Sequence, residues 1–86
     1  MDDINQLRKK IDDIDKQLLE LISHRVQVCR LIGALKKEQN LPISDPSREQ
    51  EVYKQAKDNA LQAGLNPIQI ETIYREIVNM CSAVQK

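Results

Sequence analysis

Arg25 occupies a position where the surrounding pattern calls for a hydrophobic residue. From Ile4 to Leu35 apolar residues recur at alternating steps of three and four, through Leu7, Ile11, Ile14, Leu18, Leu21, Val28 and Ile32, and Arg25 fills one step of that series. A permanent charge in an apolar seam is costly unless an anion or a hydrogen-bonding network meets it, so Arg25 reads as an anion-binding residue. Lys36 follows 11 residues later, within about 20° of the same helical face and about 16 Å further along, a gap two long side chains can close around a ligand. Arg48 and Glu49 face inward at the start of the next helical segment, and Gln85 stands near the far end of the last. Cations, one carboxylate and one amide, with no nucleophile-base pair, suit a small dianionic ligand that carries a hydroxyl. Plainer readings exist: Arg25 snorkelling to water, Lys36 as a solvated lysine, Glu49 as a first-turn acid and Gln85 as a frayed end. His24 has no partner at metal-ligand spacing, since Cys29 is five residues on and off its face, so no metal site is expected.

Three helices must position these residues. The apolar stripe predicts a first helix from about Asp3 to Glu38, roughly 50 Å long, with Gly33 as its weak point. Gln39 to Ser44, with Asn40 and Pro42, reads as a loop, and Asp45-Pro46 supplies the N-cap and N1 signals of a second helix that ends near Gly64. Its inward stripe is Val52, Ala56, Ala60 and Ala63, small residues that permit close approach. Asn66-Pro67 repeats the start signal, and Ile70, Ile73, Ile77, Cys81 and Val84 line one face of a third helix with Gln85 on its shoulder. With no period-two segment and no repeat, the fold class is all-α, one domain over residues 1–86.

Composition narrows the function classes. A net charge of zero, with 30% charged residues, gives no basic field for nucleic acid or acidic membrane, and Tyr53 and Tyr74 are too few to stack bases. The polar stretch MDDINQLRKK resembles no signal peptide, and no run is long enough to span a bilayer, so a cytoplasmic protein is expected. Cys29 and Cys81 suit reduced, packed thiols rather than a disulfide scaffold.

The first helix is about twice as long as either of the others, so part of its stripe must be covered by a second copy. In an antiparallel pairing about a two-fold axis near Lys16 and Gln17, Arg8 of one chain lies level with Arg25 of the other. Within one chain these arginines are 17 residues apart, about 25 Å, too far to grip one small molecule together.

The run LRKKIDDIDKQLLELISHR, the Gly33 to Lys36 G-x-x-K and the Pro42 to Glu49 segment PISDPSRE resemble the all-helical chorismate mutase family over essentially the whole chain. The resemblance implies an intertwined homodimer of three-helix chains with two shared active sites. It also implies the Claisen rearrangement of chorismate to prephenate in phenylalanine and tyrosine biosynthesis, with no cofactor and no metal. By the same resemblance, Arg8 from the partner subunit and Arg25 hold the two substrate carboxylates, for which a guanidinium fork is well shaped. Lys36 and Gln85 meet the ether oxygen, Glu49 accepts from the ring hydroxyl, and Arg48 and the main chain at Asp45 add contacts. Cys81 departs from the pattern, because relatives carry a small polar side chain there that helps to anchor a carboxylate, and a thiol is a weaker donor. Two rivals remain. One is an isochorismate pyruvate-lyase on the same scaffold, against which Glu49 and the D-P-S-R-E segment speak. The other is a non-catalytic helical dimerisation or regulatory module, to which Arg25 and Lys36 in a pocket are ill suited.

Overall fold

Each helix starts on a side-chain cap and two of them end on the same backbone device. A computed structural model describes residues 3–86; Met1 and Asp2, the beginning of the polar stretch read above, lie outside the described residues. Helix α1 spans Ile4–Glu38, α2 Pro46–Gln62 and α3 Pro67–Gln85, with no strand among the described residues. At the start of α1 the Asp3 carboxylate accepts from the Gln6 N–H while the Gln6 side chain accepts from the Asp3 N–H, both at 2.8 Å, a capping box that satisfies two otherwise orphaned donors. Asp45 caps α2 by accepting from the Arg48 N–H at 3.1 Å. Asn66 caps α3 through the N–H groups of Ile68 and Gln69. Prolines 46 and 67 stand where a missing N–H costs nothing.

The end of α1 closes on Asn40 at φ 56°, with Leu41 N–H donating to the Lys36 carbonyl and Asn40 N–H to that of Lys37. Helix α2 closes identically on Gly64 at φ 75°, with Leu65 donating to Ala60 and Gly64 to Leu61. Both are Schellman closures, which need a left-handed residue that only Gly or Asn adopts at small cost.

Helix α3 is the centre of the chain, packing on both others. It runs antiparallel to α2, since Lys57 pairs with Glu71 at 3.0 Å and the Arg75 guanidinium lies 4.4 Å over the Tyr53 ring. It runs parallel to the C-terminal half of α1, since Arg25 reaches Cys81 while Gly33 and Lys36 meet Gln85. Gly33 sets the closeness of that contact: a Cβ built there would stand 2.8 Å from the Gln85 Cα. The helix thus accepts the conformational cost of a mid-helix glycine and gains backbone-to-backbone approach at one level.

The buried face of α1 differs from the predicted one, whereas α2 buries Ala56 and Ala60 and α3 buries Cys81 from their predicted faces. In α1 the chain buries Cys29 and Gly33 with Arg25 and Lys36 at their flanks, whereas the predicted stripe, Ile4, Leu7, Ile11, Ile14, Leu18, Leu21, Val28, Ile32 and Leu35, stays exposed. The reason is steric, because α3 docks where α1 offers its smallest side chains. In α3 Val78, Cys81 and Gln85 are buried while Ile73 is exposed, and in α2 Tyr53, Ala56 and Ala60 are buried while Ala63 is exposed. Helix α1 extends well past α3, and the principal extents are 57 × 23 × 15 Å.

Candidate active site

All three helices converge on one cleft of about 150 Å³, into which α1 sends Arg25 and Lys36, the start of α2 sends Asp45, Arg48 and Glu49, and α3 sends Cys81, Ser82 and Gln85. Parallel packing of α1 on α3 places Lys36 and Gln85 at the same level although 49 residues separate them. The Lys36 Nζ donates to Gln85 Oε1 at 3.0 Å and to the Ile43 carbonyl at 2.9 Å. An ammonium has three donors and no acceptor, so one N–H of Lys36 is left for the cleft. The same fact orients Gln85: its oxygen must face Lys36, and its NH₂ group is then left as a donor on the other side. Gln85, expected on the shoulder of α3, is in fact 9% exposed and wedged against Gly33.

Arg25 is half-buried and donates from Nη1 to Cys81 Sγ at 2.9 Å, so α3 holds the guanidinium at the cleft wall. Cys29 lines the wall beside it, and burial, with a hydrogen bond to Cys81 in second place, pushes its thiol up to about 11. Cys29 is therefore a neutral thiol at any ordinary pH. The Asp45 carboxylate turns back onto the Arg48 N–H, so it serves the helix start, as the sequence signal implied.

Arg48 was expected to face inward. It does reach the cleft edge, but its side chain is 58% exposed and lies 3.8 Å from Glu51 on the outer surface of α2. Glu49, one residue on, is half-buried. Arg8 is exposed near the far end of α1 and is not among the residues lining the cleft, as its distance from Arg25 along the helix requires. Sequence reasoning missed Ser82, which lines the cleft; its i, i+3 relation to Gln85 was the available signal. It also missed Cys29 and Val78 in the lining, whereas Ile32 and Val52 stood on stripes expected to face inward.

Comparison with known proteins shows the family of the chain. A profile described as chorismate mutase type II matches residues 7–86. The chain is 35% identical over 89 residues to a bifunctional chorismate mutase/prephenate dehydratase of Aquifex aeolicus, a match that covers 100% of this chain and 25% of that protein. It is 40% identical over 48 residues to a chorismate mutase of Methanocaldococcus jannaschii, covering 56% of this chain and 48% of that one. The first curated relatives are much longer, and the chain spans a quarter of their length or less. Among solved structures, a conserved hypothetical protein from Pyrococcus furiosus superposes with a TM-score of 0.80 at 35% identity, over 96% of this chain and 95% of that one. With a family profile matched from the second turn of α1 to the last residue, the chain belongs to the chorismate mutase type II family.

Proposed function

We propose that this chain catalyses the intramolecular Claisen rearrangement of chorismate to prephenate. The observation that carries the reading is the Lys36–Gln85 pair in the cleft lining, in which Lys36 donates to the Gln85 oxygen at 3.0 Å and each residue keeps a further N–H as a donor. As the C–O bond breaks ahead of C–C bond formation, negative charge grows on the ether oxygen, and fixed donors there stabilise the transition state more than the ground state. Arg25 holds one carboxylate, Arg48 and the N–H groups at the start of α2 add polar contacts, and Glu49 accepts from the ring hydroxyl. Cys81 acts on the substrate through Arg25, whose guanidinium it orients. The reaction moves no proton and forms no covalent intermediate, so the cleft has only to bind, compress and polarise.

The active unit in this reading is a homodimer in which Arg8 of the partner subunit completes each site. Support comes from the exposed Ile4, Leu7, Ile11, Ile14, Leu18 and Leu21, which form a continuous apolar stripe along the N-terminal half of α1. The chain exposes 7028 Å², against roughly 5200 Å² for a compact monomer of this mass. The difference is of the size that one partner buries in an obligate dimer.

Incubation with chorismate tests the reading, followed by the loss of substrate absorbance and by conversion of the product to phenylpyruvate in acid. Lys36→Met is expected to lower kcat by about 10²- to 10³-fold or more while the fold is retained. No turnover by the wild-type chain would overturn the proposal, and fluorescent salicylate formed from isochorismate would point to the lyase instead.

A further inference from the structure

Two thiols meet in the wall of the cleft, and the rearrangement has no use for their redox chemistry. Cys29 on α1 and Cys81 on α3 are both buried and free, yet both line the cleft that opens to solvent. They form the layer of the α1–α3 contact one helical turn before Gly33 and Gln85, where a Cβ on Gly33 would stand 2.8 Å from the Gln85 Cα. Cys81 is also the sulfur that holds Arg25, at 2.9 Å from Nη1.

We propose that Cys29 and Cys81 are a reversible modification site, in which a hydroperoxide that enters the cleft converts them to an intrachain disulfide and so releases Arg25. In the first step the Cys81 thiol attacks the peroxide, whose O–O bond breaks; the sulfur becomes a sulfenic acid and the peroxide leaves as its alcohol, or as water. In the second, Cys29 attacks the Cys81 sulfur, the S–O bond breaks, and the thiol proton of Cys29 leaves with the hydroxyl as water. The pair has then lost two electrons, which reduced the peroxide, and a dithiol reverses the change. The Arg25 guanidinium, 2.9 Å from the Cys81 sulfur, can donate to the oxygen that leaves the peroxide, which assigns the first step to Cys81 and the second to Cys29. Bonded to Cys29, the Cys81 sulfur is no longer a thiol but one atom of a disulfide, a poorer acceptor for the guanidinium. The consequence for turnover rests on the chorismate mutase reading; the disulfide itself does not.

The experiment treats the full chain with hydrogen peroxide, alkylates remaining thiols under denaturing conditions and measures the intact mass. The expected product is a monomeric chain about 2 Da lighter with neither cysteine alkylated, restored by dithiothreitol. Cys29→Ser should instead carry about 16 Da of added oxygen on Cys81, and a fully alkylatable Cys81 in that variant would overturn its part as the attacking thiol. Two alkylatable thiols in the treated wild type, or a disulfide only between chains, would overturn the site. Chorismate turnover, compared before and after peroxide, should fall at least about tenfold and recover with the dithiol. A disulfide that forms with turnover unchanged would overturn the release of Arg25. An untreated chain that never turns over chorismate refutes the enzymatic reading and leaves the mass result to decide the site.

Discussion

At Gln85 the use of an amide rather than an acid decides how the proposed site answers to pH. An amide donates a hydrogen bond at every ordinary pH, so the rate of the wild-type chain should change little around neutrality. Gln85→Glu places a carboxylate beside Lys36, and only its protonated form can donate to an oxygen that is gaining charge. Activity at pH 7 is expected to drop by about tenfold or more and to return as the pH falls. A rate against pH profile of both chains checks this, and an equally flat profile for Gln85→Glu would remove Gln85 from the ether oxygen.

Among the elements, the two contacts of α3 have different chemistry and fail differently. On the α1 side, Gly33→Ala sets a methyl group against the Gln85 backbone at 2.8 Å, where no flexible side chain can yield. The helices must separate, at a cost of about 1–3 kcal/mol by analogy with overpacked cores, and Gln85 moves relative to Lys36. Urea unfolding and kcat should therefore both fall in this variant, although glycine to alanine within a helix is ordinarily stabilising. On the α2 side, Glu71 accepts from Lys57 and from Arg75, in that order of effect, and its carboxyl is held below its ordinary value of 4.5. A lowered carboxyl contributes stability that is fully present above the unfolded value and is lost as pH falls through the folded one. Thermal midpoints should accordingly decline below about pH 4.5 more steeply for the wild type than for Glu71→Gln.

For the molecule as a whole, the radius of gyration of 16.2 Å exceeds the roughly 12 Å of a compact chain this long, and the excess lies in the overhang of α1. A second copy is the proposed cover for its apolar stripe. If Arg8 serves the partner's site, Arg8→Ala and Arg25→Ala chains are each nearly inactive, but refolded together they should recover about a quarter of wild-type turnover. Half of randomly paired dimers are mixed, and each mixed dimer has one intact site. Sedimentation should find a dimer in every case; a monomer with full activity would defeat the shared site.

The helices themselves were legible in the residues. Asp45-Pro46 and Asn66-Pro67 start them where local capping chemistry requires, and Asn40 and Gly64 close the two ends that reverse the chain. The residues of the cleft were legible too, because charge in an amphipathic pattern is a local anomaly that one strand of sequence reveals. Which face of α1 is buried was not. Periodicity marks an apolar stripe on α1 but does not say what covers it, and α3 took the neighbouring face, where Cys29 and Gly33 let backbones meet. The thiol contact with Arg25, the burial of Gln85 and the entry of Ser82 into the cleft all follow from that docking. Local order is written in neighbouring residues, whereas docking depends on the fit of surfaces that are dozens of residues apart in the chain.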